Sequence, residues 1–208
     1  MQSKSSGKFG QIVGRVIILQ VLFMTFTILG LGIFGFLPAL LAVMAVARQF
    51  LRETAEPSSI TKMFWRFYKE MFAKGNLFGL PLIVGAVLLL INISHFQQAD
   101  GALSQVLIYG SYSLEAIILI LFIQGLPSLV HMEISIIHLI RGAFLITLIR
   151  PFHTAAVAAM LIGIGWIAYK ISLILAVLLI APVAYLWIRI ALNAFLGFVT
   201  EKEDRGIE

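Results

Sequence analysis

Glu115 is the residue of this sequence with the clearest potential for chemistry. It lies near the middle of the apolar stretch 103–126. A carboxyl group inside the hydrocarbon of a membrane is costly unless it is paired, protonated or turned towards a cavity. Such a group could bind a proton, a cation or a polar solute. It could also serve packing alone, through a hydrogen bond to Ser111, Tyr112 or a neighbouring helix.

Arg189 and Glu133 are two further charged residues inside apolar stretches. Counting along the predicted helices places Arg189 nearer to the cytoplasmic face than Glu115. We therefore expect Arg189 to pair with Glu133 or to reach a lipid phosphate with its long side chain. Glu115, Arg189 and Glu133 together form the candidate intramembrane polar site.

Familiar catalytic and cofactor-binding patterns are missing from the sequence. There are no cysteines, which excludes thiolate chemistry and cysteine-ligated metals. His131 and His138 share a helix face, but Glu133 does not align with them and no H-E-x-x-H pattern occurs. The segment 110–113 contains serines without a histidine placed to activate them. No P-loop or G-x-G-x-x-G occurs either, so we expect a non-enzymatic protein that holds no metal or cofactor.

The composition indicates whether water or lipid surrounds this protein. Hydrophobic residues make up 61% of the 208 positions and charged residues 12%, with a mean hydropathy of +1.02. Soluble domains carry about 25% charged residues. Lipid must therefore surround most of the chain. The pI of about 9.7 then indicates basic residues that set orientation and meet anionic lipid headgroups, and not nucleic acid as a partner.

The apolar runs predict an all-α protein, a polytopic bundle of about six transmembrane helices. Crossing the hydrocarbon takes about 20 residues. The predicted spans are 12–34, 37–50, 77–93, 103–126, 151–169 and 171–199. Glycines and Leu-Pro pairs make Pro38 and Pro127 the predicted helix-break positions. The segment 37–50 is short, so an interfacial position is its alternative, and the polar residues of 128–149 place that segment at the cytoplasmic interface or inside the bundle.

Between these spans, residues 60–74 have the pattern of an amphipathic helix. Phe64, Phe67 and Met71 recur with helical spacing on one face, and basic residues lie on the others. This is typical of a helix in the cytoplasmic membrane interface, while packing of the same face on neighbouring helices is the alternative. The residues of this interfacial or partner-binding helix are Lys62, Phe64, Trp65, Arg66, Phe67, Lys69, Met71 and Lys74.

The distribution of positive charge predicts the orientation. With six crossings, every one of the 15 lysines and arginines except Lys170 lies in or towards the cytoplasm. Both termini are then cytoplasmic, and residues 201–208 form a solvated tail. We expect one membrane domain over residues 1–208.

Two further patterns concern symmetry. The similar surroundings of Pro38 and Pro127 suggest half-repeats at about 11–98 and 103–170, which is how many transporters build a central site. Two Leu-Pro pairs in an apolar sequence also arise by chance. Ala155, Ala159 and Gly163 form a small-residue stripe that permits close approach of a helix, either of the same chain or of a second copy in a homo-oligomer.

The order of these features resembles a known family. A glycine-rich break runs into Phe-Leu-Pro-Ala-Leu-Leu-Ala at 36–42, and Ala47-Arg48 follows. Then comes Phe-Trp-Arg-Phe-Tyr-Lys-Glu-Met-Phe at 64–72, running into Gly-Asn at 75–76. This arrangement resembles the YesL-like membrane proteins, a bacterial family of unknown function. The resemblance implies a plasma-membrane location and a link to carbohydrate uptake, and it supplies no reaction.

We therefore expect an accessory or scaffold protein of the bacterial plasma membrane. Its expected partners are membrane lipids and the permease of an ABC sugar transporter. The alternative is a small secondary transporter or channel with Glu115 in its pathway.

Overall fold

A computed structural model describes the backbone of residues 2–52, 60–99, 101–131 and 136–204, and the side chains of 10–52, 60–99, 101–130 and 138–192. Regular secondary structure in these ranges is helical throughout, which confirms the predicted all-α membrane bundle. The helices are α1 (Gln2–Leu29), α2 (Ile33–Leu51), α3 (Ile60–Phe96), α4 (Ala102–His131), α5 (Ile136–Ile149), α6 (Pro151–Lys170), α7 (Leu173–Leu178) and α8 (Ile180–Asp204).

Five of these helices, α1 to α4 and α6, are long and apolar enough to cross a membrane. The predicted continuous span 171–199 is wrong, because this stretch is divided into α7 and α8. Pro182 is the third residue of α8 and has no N–H to donate to the carbonyl of Leu178. Of the predicted tail 201–208, the backbone to Asp204 continues α8, and the remaining positions lie outside the described residues.

The turn between α1 and α2 corrects the predicted helix-break positions. The chain turns at residues 30–32, where Leu31 and Gly32 have φ of 61° and 71°. Gly30 permits this turn, because a Cβ there would lie 2.4 Å from the Cα of Gly35. Pro38 lies inside α2 and Pro127 inside α4, so neither proline breaks its helix.

Helix α3 joins two elements that the sequence predicted separately. The amphipathic stretch and the following span form one helix of 37 residues, about 55 Å long. Phe64, Phe67 and Met71 are buried, and the rings of Phe26 in α1 and Phe64 lie 5.2 Å apart. The apolar face therefore packs on neighbouring helices of the same chain, and an interfacial position of residues 60–74, which is compatible with this packing, stays a prediction.

Helix α2 lies at the centre of the fold. Its residues 37–47 are buried without interruption, as expected of a helix that is apolar on every side. It packs against α1, α8 and the adjoining parts of α3 and α4. We call α1, α2, α8, residues 60–79 of α3 and residues 122–131 of α4 the core bundle.

The rest of α3 and α4 is a second region. We call residues 80–96 of α3 and 102–121 of α4 the distal hairpin. Its side chains are largely exposed, including Leu88 and Val106, while Ile93, Ser104 and Ser111 are buried. Because this surface is apolar, lipid is the solvent that it fits.

Candidate functional site

Glu115 lies on the face of α4 that packs against α3 in the distal hairpin. Ser111, one turn earlier, donates a hydrogen bond from its Oγ to Oδ1 of Asn92 at 3.1 Å. Ile118, one turn later, contacts α3 at Gly85, where a Cβ would lie 3.3 Å from the Ile118 side chain. Ser111, Glu115 and Ile118 follow the i, i+4, i+7 spacing of one helix face. Glu115 therefore faces α3 between two contacts that hold the hairpin together.

The carboxyl group of Glu115 is incompletely satisfied. Its Oε2 atom has no solvent-accessible surface and no hydrogen-bond partner among the described residues. Buried polar atoms are normally hydrogen-bonded, so an unpartnered carboxyl oxygen indicates strain or a ligand that completes the site. Of the predicted candidates, Glu115 is the one with a buried polar atom that has no hydrogen-bond partner in the part of the chain that the structure describes.

Two members of the predicted polar site, Glu115 and Arg189, do not meet in the structure. Arg189 is exposed on α8 and forms no ion pair with Glu115. Trp187, two residues before it, contacts Ile123, which lies two turns along α4 from Glu115. Glu133, the predicted partner of Arg189, lies outside the described residues.

The basic residues of α3 point away from the core bundle. We call Lys62, Arg66, Lys69 and Lys74 the basic face of α3, and all four are exposed. The guanidinium of Arg66 lies 4.9 Å from the ring of Phe67, and Lys69 Nζ lies 5.1 Å from the ring of Trp65. Glu70 is paired with Lys74 at 4.0 Å. The burial of the apolar face fixes the rotation of α3, and this rotation presents the cations outwards.

Pro38 and Pro127 each leave a carbonyl group without its backbone donor, and a side chain of another helix donates a hydrogen bond to that carbonyl. Pro38 cannot donate to the carbonyl of Phe34, four residues earlier in α2. That carbonyl instead accepts a hydrogen bond of 2.9 Å from Nδ2 of Asn76 in α3. A side chain of α3 thus replaces the backbone donor that Pro38 lacks.

Pro127 has the same arrangement with a different donor. The carbonyl of Ile123, four residues before it in α4, accepts a hydrogen bond of 3.0 Å from the indole Nε1 of Trp187 in α8. Trp187 is not among the residues predicted from the sequence. Its signal would have been a lone indole N–H in an apolar helix, since a buried tryptophan N–H normally has a partner.

Polar side chains hold the C-terminal end of α4 against other helices. Gln124 Nε2 donates to Thr154 Oγ1 in α6 at 2.7 Å, and both side chains are buried. Arg48 of α2 donates to the carbonyl of Val130 in the last turn of α4, where a positive charge complements the helix dipole. Arg48, which the sequence counts among the orientation signals, therefore also has a structural role.

Gln20 is a buried polar residue of α1 that sequence reasoning missed. Its Nε2 donates to the carbonyl of Val177 at 3.0 Å, and its Oε1 accepts from the N–H of Ala181 at 2.9 Å. These two backbone groups lie on either side of the break between α7 and α8. One amide side chain therefore satisfies both helix ends at this break.

The small-residue stripe of α6 faces away from the described bundle. Ala155 and Ala159 are exposed, and a Cβ on Gly163 would have no atom within 4 Å. Use of this stripe by a second copy of the chain stays a prediction.

Comparison with known proteins finds similarity to one family in the first half of the chain. Residues 16–93, which include the second half of α1, all of α2 and most of α3, match the family described as "Protein of unknown function, DUF624". The chain is 27% identical over 150 residues to the uncharacterized protein YesL of Bacillus subtilis (strain 168), which covers 72% of this chain and 70% of YesL.

Two further relatives come from the same organism. The uncharacterized protein YesV is 29% identical over 151 residues, covering 73% of this chain and 71% of YesV. The uncharacterized protein YteU is 34% identical over 94 residues, covering 43% of this chain and 42% of YteU. No solved structure matches the chain. The matches confirm the resemblance that the residues at 36–76 predicted.

Proposed function

We propose that this chain, which belongs to the YesL-like family of unknown function, is a non-enzymatic accessory or scaffold protein of the bacterial plasma membrane. The observation that carries the proposal is the exposed basic face of α3. Its four cations are held outwards on a helix whose opposite face is locked into the core bundle.

A rigid, cationic and aromatic surface is suited to docking. Aromatic and arginine side chains are enriched at protein interfaces, and Trp65, Arg66 and Phe72 are all exposed on α3. Because α3 continues into the apolar distal hairpin, the docked partner lies at the membrane, on the cytoplasmic side if the positive charges set the orientation. We propose the permease of an ABC sugar transporter as this partner, in line with the carbohydrate link that the family resemblance implies.

Site-specific crosslinking in native membranes tests this partner. A photoreactive residue in place of Lys62 is expected to capture a permease subunit, and one in place of Ile162, which is 69% exposed on α6, is the matched control. Charge reversal at Lys62, Arg66 and Lys69 together is expected to abolish capture by a crosslinker placed at Lys74. Capture that survives charge reversal, or equal capture from Ile162, would contradict docking through the basic face of α3.

The unpartnered carboxyl oxygen of Glu115 favours a second candidate function, a small secondary transporter or channel. The discriminating experiment is reconstitution of the full chain in liposomes with solute and proton flux followed for the wild type and Glu115→Gln. Glu70→Gln is the control, because Glu70 is exposed and its partner is Lys74. Flux that Glu115→Gln abolishes and Glu70→Gln preserves would replace the scaffold proposal by the transporter.

A further inference from the structure

An apolar groove of about 360 Å³ lies between the α1–α2 turn and the aromatic side of α3. Its lining includes Phe26, Leu31, Phe34, Trp65, Tyr68 and Phe72. The volume is at the lower end of the range of roughly 300 to 1,000 Å³ for ligand pockets. The Tyr68 hydroxyl donates to the carbonyl of Phe26 at 3.1 Å, so the main polar group in the lining is already engaged. A hydrocarbon chain is the ligand that such a lining accepts.

The groove is preformed by packed rings. Phe26 lies 5.4 Å from Trp65 and 5.0 Å from Tyr68, measured between ring centroids. Tyr68 in turn contacts Phe72 at 5.7 Å. Gly30 leaves room for the Tyr68 hydroxyl, since a Cβ there would lie 2.4 Å from that oxygen. A ligand chain would therefore meet walls that are already ordered.

One rim of the groove is cationic. Lys69 Nζ lies 5.1 Å from the ring of Trp65, a groove residue, and Lys69 is exposed. Lys62 is three residues before Trp65 and lies on the neighbouring surface of α3. The nearby acid, Glu70, is paired with Lys74. An apolar channel beside an available ammonium group fits a molecule with a hydrocarbon chain and an anionic head.

We propose that this groove binds one anionic phospholipid. One acyl chain lies along Phe26, Phe34 and Phe72, and the phosphate is held by Lys69 with support from Lys62. Charge complementarity selects the occupant, since the cationic rim attracts a lipid headgroup of net negative charge more strongly than a zwitterionic headgroup. This site shares Lys62, Lys69, Trp65 and Phe72 with the proposed docking surface of α3, but it is argued from the groove itself and goes beyond general contact with the bilayer.

Fluorescence quenching by brominated lipids tests the site in the full chain reconstituted in vesicles. Trp65 lines the groove, and the difference between the wild type and Trp65→Phe isolates its signal from those of Trp166 and Trp187. We expect brominated phosphatidylglycerol to quench this signal at a mole fraction about fivefold lower than brominated phosphatidylcholine. Equal quenching by the two lipids would overturn the proposal.

Charge variants locate the headgroup. Lys69→Gln is expected to abolish the preference for phosphatidylglycerol, and Lys69→Arg to keep it. Lys170→Gln is the matched control, because Lys170 Nζ also lies over an exposed ring, that of Tyr169 at 4.8 Å, which is not among the groove residues. Circular dichroism of each variant checks that the fold is intact. A preference that persists in Lys69→Gln, or is lost equally in Lys170→Gln, would show that general surface charge and not this groove selects the lipid.

Discussion

The core bundle and the distal hairpin differ in what their polar side chains bond to. Each region also holds buried polar atoms without a hydrogen-bond partner among the described residues, Thr27 Oγ1 and Asn76 Oδ1 in the core bundle and Glu115 Oε2 in the hairpin. In the core bundle, Gln20, Asn76 and Trp187 each donate to a backbone carbonyl near a proline or at a helix break. In the distal hairpin, Glu115 carries a carboxyl oxygen that has no partner among the described residues. The first set repairs backbone hydrogen bonds that the sequence itself removes. Glu115 replaces no missing backbone donor among the described residues.

This difference separates structural polar residues from candidates for function. In a membrane an unpaired carbonyl is costly, so a side chain that satisfies one is explained by folding alone. A buried polar atom that satisfies no backbone group needs another explanation. Four substitutions test whether this division holds, and they are taken from the largest expected effect to the smallest.

Gly30→Ala is expected to destabilise the core bundle most. The added methyl group would lie 2.4 Å from the Cα of Gly35 and from the Tyr68 hydroxyl, so the main chain of the turn must move. We expect a loss of about 3 kcal/mol in the free energy of unfolding, measured by denaturation in mixed micelles. Gly14→Ala is the control, because no atom lies within 4 Å of a Cβ there, and alanine should stabilise α1 by about 0.5–1 kcal/mol. Equal effects at the two glycines would contradict the tight turn.

Gln20→Leu is expected to loosen the junction of α7 and α8. The change removes two hydrogen bonds and leaves the carbonyl of Val177 and the N–H of Ala181 unsatisfied. We expect a loss of about 2 kcal/mol and faster hydrogen exchange at Ala181. Gln97→Leu, which removes a 3.4 Å contact to Tyr112 at the exposed end of the distal hairpin, should have little effect. If Ala181 stays protected in Gln20→Leu, the junction does not depend on this side chain.

Trp187→Phe tests the hydrogen bond that replaces the missing backbone donor at Pro127. It removes one hydrogen bond, from the indole to the carbonyl of Ile123, and retains an aromatic ring in the core. Interhelical hydrogen bonds in membrane proteins contribute about 0.6 kcal/mol on average, so we expect a loss of about 1 kcal/mol. Trp166→Phe, at a position 58% exposed, should leave the unfolding curve unchanged. A loss as large in Trp166→Phe would point to general packing and away from the carbonyl of Ile123.

Glu115→Gln should have the smallest effect on stability. Since Oε2 has no hydrogen bond to lose among the described residues, we expect a change within about 0.5 kcal/mol. Ser111→Ala, which removes the bond to Asn92 on the same helix face, should cost more. A loss above about 1.5 kcal/mol in Glu115→Gln would contradict the comparison, because Glu115 would then be a polar residue that stabilises the distal hairpin.

Much of the fold could be predicted because the hydropathy of each segment indicates whether lipid or water surrounds it. The stretches 103–126 and 151–169 are apolar over a membrane thickness, and α4 and α6 include them. The face of α3 that carries Phe64, Phe67 and Met71 was correctly identified as apolar. Its neighbour was not identified, since lipid and protein select the same residues.

The prolines show where sequence reasoning stops. Pro38 and Pro127 have the local chemistry of helix breaks, yet both lie inside helices. Pro182, in an equally apolar stretch, does lie next to a break. At Pro38 and Pro127 another helix brings a donor to the carbonyl four residues earlier, and that is a tertiary contact between residues far apart in the chain.

By itself, the sequence determined that this protein is a bundle of helices in a membrane. Its apolar composition requires lipid, and lipid requires that each backbone group be bonded within its own segment. The tertiary structure alone decided which backbone carbonyls accept hydrogen bonds from Asn76, Trp187 and Gln20. It also decided where the aromatic groove lies and that one carboxyl oxygen of Glu115 has no partner among the described residues. Those outcomes depend on distances of a few ångströms between helices, which no local pattern of residues contains.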